Sequence, residues 1–234
     1  MRRTIKIKLC FAAVFAISGL AATAASAEPE FLHEGKEVLN KGFVAKSKAA
    51  GATLVELGET KYKIFCTSRM STGKIKGKSE VDGVVVKFKG CRAKEAGEAL
   101  ECEVNSTNPL GAKEEVITKT LKGRIGLVVS AEATSERGLL LLPNVGTVYV
   151  TIKGSTECLP AETSEVKGSL MGEIKPVHTL KLKSELFYKT KEQKTQLIKK
   201  FIGESATHEL EIFEVKAPVE AADTIEYEES VEIT

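Results

Sequence analysis

Apolar and polar residues alternate with a period of two along much of this chain. The C-terminal stretch TIEYEESVEIT is the clearest example, because Ile225, Tyr227 and Ile233 share one face and glutamates take the other. Successive side chains of a strand point to opposite faces of a sheet, so this pattern buries one face and exposes the other. The stretches TVYVTIKG and VVVKFKG alternate in the same way. We therefore predict a chain built from strands.

Glycine-containing turn signals separate these runs at residues 71–73, 81–83 and 143–146. Short strands at regular spacing are typical of antiparallel sandwiches and barrels. No segment keeps a helical period for long, and KEQKTQLIKKFI, residues 191–202, is the best candidate for a short helix. The predicted fold is all-β: a single antiparallel β-sandwich or barrel-like domain over residues 51–234, preceded by an extended N-terminal segment at residues 28–50.

Residues 1–27 have the features of a secretory signal peptide that is cleaved from the mature protein. Four basic residues precede an apolar run over residues 9–20, and Ala25-Ser26-Ala27 is a small-x-small cleavage site. The apolar run is shorter than the ~20 residues that a membrane-spanning helix needs. We therefore expect a secreted or cell-envelope protein with no transmembrane segment in its mature chain.

Removal of the signal peptide changes the charge of the chain. The whole sequence has 34 basic and 32 acidic residues, and the signal peptide holds four of the basic residues and none of the acidic ones. The mature chain therefore carries a formal net charge of −2. Because no global positive field remains to attract a polynucleotide, we predict no nucleic-acid partner.

Charge is nevertheless segregated near the C-terminus. Residues 175–200 hold eight lysines and two glutamates, whereas residues 204–234 hold ten acidic residues and one lysine. One interpretation is a basic face for a polyanion such as a wall polymer or a nucleic acid. The other is pairing of lysine and glutamate across neighbouring strands, worth ~0.2–1 kcal/mol per pair. The near balance of the two blocks favours the second interpretation.

The mature chain contains four cysteines, Cys66, Cys91, Cys102 and Cys158. An even number of cysteines in an exported chain predicts two disulfides, for which three pairings are possible. We favour Cys91–Cys102, which would close the hydrophilic loop RAKEAGEALE, together with Cys66–Cys158 across the fold. A metal site would need closer cysteine spacing or neighbouring histidines, so no metal ligand is predicted.

A search for catalytic and cofactor-binding residues identifies none. Gly77-Lys78-Ser79 resembles the end of a phosphate-binding loop, but the glycine that the motif requires at position 72 is a threonine. The histidines, His33, His178 and His208, accompany no Gly-x-Ser-x-Gly motif. Thirty glutamates make acidic pairs such as Glu114–Glu115 and Glu228–Glu229 uninformative. We predict no cofactor and no enzymatic activity.

The stretch CTSRMSTGKIKGKSEVDGVVVKFKGC, together with the export signal and the later TKTLKGRIG, resembles an uncharacterised group of exported proteins of high-GC soil bacteria. The matching pattern is Cys66-Thr67-Ser68, Gly73-x-Ile75-x-Gly77, Phe88-x-Gly90-Cys91 and Leu121-x-Gly123. The resemblance covers residues 28–234 and implies an exported, cysteine-bridged, β-rich domain. It implies no activity, and this chain departs from the group in its lysine-rich residues 181–200.

These features together predict a secreted β-domain with a binding or structural role at the cell envelope. An envelope polymer or an envelope protein would be its partner. One alternative is an extracellular hydrolase that uses paired glutamates. Another is a secreted inhibitor or partner-binding module that presents the open edge of a sheet.

Overall fold

A computed structural model describes residues 28–47, 52–57, 60–95, 101–129, 135–155 and 163–234. These residues form 21 β-strands and no helix, which confirms the all-β prediction. It follows that no helix of the described residues could cross a membrane.

Eight strands pair in a closed antiparallel ring, which we call the barrel. In ring order they are β3 (Lys41–Ser47), β6 (Ser68–Ile75), β7 (Glu80–Lys89), β11 (Leu121–Val129), β12 (Ser135–Pro143), β15 (Leu170–Lys175), β16 (Lys181–Tyr188) and β21 (Val219–Ile233). The ring closes where β21 pairs with β3. Closure removes every sheet edge, so each barrel strand has a partner on both sides.

A second, open sheet continues from the barrel, and we call it the half-barrel. In order it contains β4 (Ala52–Leu57), β5 (Thr60–Phe65), β8 (Arg92–Glu95), β9 (Glu101–Ser106), β13 (Val148–Gly154), β14 (Ser164–Gly168), β19 (Leu210–Ile212) and β20 (Val215–Lys216). It starts at the barrel, because the first residues of β21 pair with β4.

Five short strands complete the described fold. They are β1 (Phe31–His33), β2 (Lys36–Glu37), β10 (Glu115–Ile117), β17 (Thr190–Lys191) and β18 (Thr195–Gln196). Strand β1 pairs with both β2 and β21, and β10 pairs with β7. Strands β17 and β18 form a separate hairpin.

The chain passes repeatedly between the barrel and the half-barrel, at a set of breaks that we call the junction. Strands β5 and β6 are joined by Cys66 and Thr67, and β7 and β8 by Gly90 and Cys91. Gly90 has a φ of 60°, a left-handed conformation that favours glycine and redirects the chain. Because single hairpins run through both sheets, one continuous apolar core fills the two regions.

Residues 189–209, which we call the strap, lie on the outer face of the barrel. Ile198 and Phe201 of the strap pack on Val128, Leu140 and Met171 in a second, smaller apolar cluster. The helix predicted over residues 191–202 is therefore wrong. These two apolar side chains pack on the barrel wall. The backbone of the strap forms the β17–β18 hairpin and a bridge between Phe201 and Val128 in place of a helix.

Two predicted turns are also wrong, because residues 71–73 and 81–83 lie inside β6 and β7. Both sites are irregularities of the ladder between these strands, where the register shifts between Thr72 and Lys74. Gly83 has a φ of 61°. Glycine is common at β-bulges as well as at turns, so the same sequence signal fits both structures. The hairpin turn itself lies at residues 76–79.

The predicted N-terminal segment at residues 28–50 contains three strands in its described part. Of these, β3 pairs with β6 along its whole length and is a full member of the barrel. Strand β1 extends the sheet beside the end of β21.

Candidate functional site

The structure joins Cys66 to Cys91, which shows that the predicted Cys91–Cys102 and Cys66–Cys158 pairing is wrong. Ser68 pairs with Lys89 on one side of the junction and Phe65 with Arg92 on the other, so the two cysteines lie directly opposite each other. The disulfide therefore ties two neighbouring strands where both pass from the barrel to the half-barrel. Cys102 is also disulfide-bonded, whereas Cys158 lies outside the described residues.

The barrel interior contains a buried ion pair near the junction. Arg69 Nε donates to Asp223 Oδ1 at 3.0 Å, and Arg69 Nη2 lies 2.6 Å from Asp223 Oδ2. The guanidinium also stacks against Tyr188, with 4.8 Å from its central carbon to the ring centre. Burial raises the pKa of Asp223, and the neighbouring Arg69 opposes that shift. The two opposite charges are therefore tolerated in the barrel interior because each is the counterion of the other.

The outer face of the same strands carries a row of basic side chains. Lys46 of β3 lies opposite Met70 of β6, and Met70 lies opposite Lys87 of β7. Directly opposed residues of antiparallel strands share one face of the sheet. Lys89 lies two residues beyond Lys87 on that face, and Lys183 of β16 is paired in register with Glu226. Three strands, β3, β7 and β16, therefore present four lysines on one face of five neighbouring strands.

These side chains line a groove with a volume of about 810 Å³, which we call the lysine groove. Its walls contain the four lysines and one acidic side chain, Glu226; the remaining residues are Ser47, Ser68, Arg69, Met70, Ala222 and Thr224. Arg69 adds no free charge, because it points inward to Asp223. The groove is therefore strongly basic, although the predicted mature chain as a whole is slightly acidic.

The lysines of the groove differ in their partners. Lys183 Nζ lies 2.7 Å from Glu226 Oε1, and this contact lowers the pKa of Glu226. Lys87 Nζ lies 3.3 Å from Glu115 Oε1 outside the groove. Lys46 and Lys89 form no ion pair with the described carboxylates and are exposed. Lys46 and Lys89 are thus the two groove lysines without an ion-pair partner within 4 Å among the described residues, and the exposed pairs of Lys87 and Lys183 leave those ammonium groups able to bind an anion as well.

The acidic pairs considered for hydrolysis are each engaged with other groups. Glu114 lies 3.0 Å from Arg92, and Glu115 accepts from the backbone N–H of Ala112 at 3.2 Å. That backbone hydrogen bond is the main reason that the pKa of Glu115 is lowered.

The second acidic pair is held in the same way. Glu228 accepts from the backbone N–H of Gly42 at 2.8 Å, and Glu229 lies 3.0 Å from Lys41 Nζ. Both pairs therefore bind neighbouring strands of the fold.

One serine lies beside a histidine where the strap meets the junction. Ser169 Oγ is 3.0 Å from His208 Nδ1, and His208 Nε2 is 3.6 Å from Glu204 Oε2. Arg124 binds Glu204, and its guanidinium stacks 4.4 Å from the ring centre of Phe201. The Arg124 hydrogen bond lowers the pKa of Glu204. Ser169 is only 9% exposed, so this cluster chiefly ties the strap to the barrel.

The other two histidines lie apart from this cluster. His33 Nδ1 is 2.7 Å from the backbone oxygen of Ser230, and His178 Nε2 is 3.2 Å from Arg137. Across the described residues, no three His, Cys, Asp or Glu side chains lie close enough together to hold a metal ion.

Sequence reasoning missed the lysine groove. It anticipated the ladder contact between Lys183 and Glu226, which lies in the two charge blocks near the C-terminus. It did not identify Lys46, Lys87 and Lys89, because strands β3, β7 and β16 come together only when the barrel closes. The alternation in VVVKFKG did indicate that Lys87 and Lys89 point outward.

No family model, curated protein or solved structure matches this chain. The fold and the site must therefore be interpreted from the chain's own residues.

Proposed function

We propose that this protein is a secreted binding protein of the cell envelope whose lysine groove takes a linear, phosphate-bearing polymer. The observation that carries the proposal is the convergence of four lysines, from three strands, on one concave face whose described lining has a single glutamate. The signal peptide predicted at residues 1–27 supports a location outside the cytoplasm. The disulfide fits an oxidising compartment.

The backbone around the groove favours a polymer over a peptide as the occupant. The groove lies on β16, β21, β3, β6 and β7, which are consecutive members of the closed ring. An extended peptide binds a sheet by pairing with an open edge, and these strands have none. Recognition in the groove therefore depends on side chains, and the side chains are mainly lysines.

The lining also favours a polyanion without bases. No aromatic side chain lines the described groove, whereas proteins that hold single-stranded nucleic acids stack the bases on aromatic rings. Lysine binds phosphate as a point charge and needs no fixed orientation of the phosphate group. A chain of phosphates linked by flexible units fits this surface best.

The spacing of the lysines suits repeated anionic groups. Lys183, Lys46 and Lys87 lie on alternate strands, and neighbouring strands are about 4.8 Å apart, so these charges recur about every 10 Å. Met70 lies between Lys46 and Lys87 and is 41% exposed, which offers an apolar contact to the linking units.

The test measures binding of inorganic polyphosphate to the mature protein across a series of salt concentrations. For a flexible polyanion each lysine contact contributes about 0.7 to the slope of log K against log salt, so we expect a slope of about −3. Lys46→Ala/Lys89→Ala should weaken binding at least about tenfold and halve the slope. The matched control is Lys122→Ala/Lys153→Ala, which removes two exposed lysines on β11 and β13.

Several outcomes would overturn the proposal. Absence of polyphosphate binding at low ionic strength is one, and equal weakening by the groove and control variants is another. If polyglutamate binds as tightly as polyphosphate, the groove does not prefer phosphate over carboxylate, and that part of the proposal is wrong. Tighter binding of single-stranded DNA would replace the proposed partner with a nucleic acid.

A serine hydrolase is the second candidate, because Ser169 Oγ lies 3.0 Å from His208 Nδ1. A serine nucleophile needs a base at hydrogen-bond distance. A fluorophosphonate labels such a serine, since the serine oxygen displaces fluoride from phosphorus. Labelling of the wild type that Ser169→Ala abolishes would support the hydrolase, and any other result would exclude Ser169 as the nucleophile.

A further inference from the structure

The half-barrel and the end of the barrel line a partly open chamber of about 110 Å³. Both regions contribute to the wall, which includes Ile152, Val166, Leu170, Leu210, Ile212 and Ala217. Apart from the Cys66 sulfur in its disulfide, the one polar side chain among the described lining residues is Tyr149. Burial raises the pKa of the Tyr149 hydroxyl, which keeps that group neutral.

The chemistry of the wall makes the chamber a poor site for water. A buried water molecule needs two to four polar partners, and the tyrosine hydroxyl supplies one. Protein interiors are otherwise packed to the density of organic crystals, so an apolar space of this size is an exception within the core. An apolar molecule would regain the van der Waals contacts that the lining side chains lack.

One side of the chamber is less buried than the others and offers a route for a ligand. Ile64, Cys66, Phe88 and Val219 are half-buried, whereas the other described lining residues are buried. Val219 begins β21, and Ile64 lies on β5, two strands away along the half-barrel. The route therefore opens beside the junction, where the disulfide fixes the position of Cys66.

We infer that this chamber is a binding site for a small apolar molecule the size of one aromatic ring or a short hydrocarbon chain. A purely apolar cavity of about 150 Å³ in another protein holds benzene, which sets the scale of the ligand. The site lies inside the half-barrel, and the lysine groove lies on the outer face of the barrel. Failure of either proposal therefore leaves the other standing.

Benzene is the probe, and its binding to the mature protein is followed by NMR titration and by the shift of thermal unfolding. We expect saturable binding and a higher unfolding temperature. Ala217→Phe places a ring inside the chamber, because Ala217 is buried in its wall. It should weaken benzene binding at least tenfold. Ala112→Phe adds the same ring at an exposed position and is the matched control.

Ile152→Ala provides a second test if the added phenyl ring of Ala217→Phe disturbs folding. It enlarges the chamber, so naphthalene should bind this variant at least tenfold more tightly than it binds the wild type. Benzene that fails to saturate the wild type would overturn the inference. Equal benzene affinity of the wild type and a folded Ala217→Phe would also overturn it, as would an Ile152→Ala variant that gains no affinity for naphthalene.

Discussion

The barrel and the half-barrel share the same hairpins but fill their interiors differently. The interior of an eight-stranded barrel is just wide enough to be filled by side chains. In this barrel those side chains include the ion pair of Arg69 and Asp223. The half-barrel does not close, and it uses the end of the barrel as the floor of its chamber. In this molecule closure, more than apolar content, therefore decides whether the interior of a sheet packs completely.

Removing one partner of the buried ion pair should have the largest effect on this contrast. Asp223→Ala leaves the Arg69 guanidinium buried without its counterion, and we expect a loss of about 3–5 kcal/mol in the free energy of unfolding. Urea unfolding followed by circular dichroism measures the loss. Arg69→Met/Asp223→Leu, which replaces both charges with apolar groups, should recover most of it.

An exposed ion pair on the same strands is the control for that experiment. Lys183→Ala/Glu226→Ala removes a surface contact and should leave the free energy of unfolding almost unchanged, because exposed ion pairs contribute little. If Asp223→Ala is no more destabilising than this variant, the barrel interior does not depend on the ion pair.

The disulfide should matter more for the half-barrel than for the barrel. Cys66 and Cys91 are 25 residues apart, and the loss of a cross-link of this length costs about 3 kcal/mol. In Cys66→Ala/Cys91→Ala we expect hydrogen exchange to rise first in β5 and β8, since ring closure does not hold these strands. A uniform increase of hydrogen exchange across both sheets would contradict the expectation that the disulfide holds the half-barrel more than the barrel.

Peptide mapping of the unreduced protein checks the connectivity behind that prediction. We expect a linked Cys66–Cys91 peptide. Cys158 is then the cysteine of the predicted mature chain that remains for Cys102, so we expect those two in a second linked peptide. A Cys91–Cys102 peptide would contradict the position of the disulfide at the junction.

Alkaline pH should weaken the barrel gradually, an effect that is absent at neutral pH. Burial raises the pKa of Tyr227 to about 12, and it also raises the pKa of Tyr149 and Tyr188. Above about pH 10 the unfolded state loses these protons before the folded state does. Stability should therefore fall between about pH 10 and 12, by up to about 1.4 kcal/mol per pH unit for each tyrosine.

Tyr227→Phe isolates the contribution of one tyrosine to this slope. The difference between the unfolding free energies of the variant and the wild type should be constant below pH 9 and should shift in favour of the variant as the pH rises. Parallel curves up to pH 12 would show that Tyr227 keeps its proton no more strongly in the folded state than in the unfolded state.

The sequence predicted the strands because burial on one face leaves a local pattern. In β21, Ile225, Tyr227 and Ile233 are buried, as their alternation indicated. Glycines were harder to interpret, since a bulge and a turn require the same backbone freedom. The apolar residues of 191–202 predicted a helix because their partner, the outer wall of the barrel, cannot be seen from local sequence.

Contacts that depend on distant strands lay beyond local patterns. The lysine groove requires β3 and β16 to lie on either side of β21, and no local signal fixes that order. The disulfide was closer to being predictable. Cys66 and Cys91 frame one hairpin, and residues equally distant from a turn face each other, so hairpin symmetry was a better guide than the shortest loop between cysteines.

The position of β21 also sets an order of events during synthesis. Its residues Thr224 to Tyr227 close the ring against residues 43–46 of β3, so the first and last barrel strands in the sequence must meet. Until β21 has been made, β3 and β16 remain open edges, and their apolar faces lack a cover. Pairing over so many residues is slow to form. We therefore expect a nascent chain of this protein to be prone to aggregation until β21 is in place.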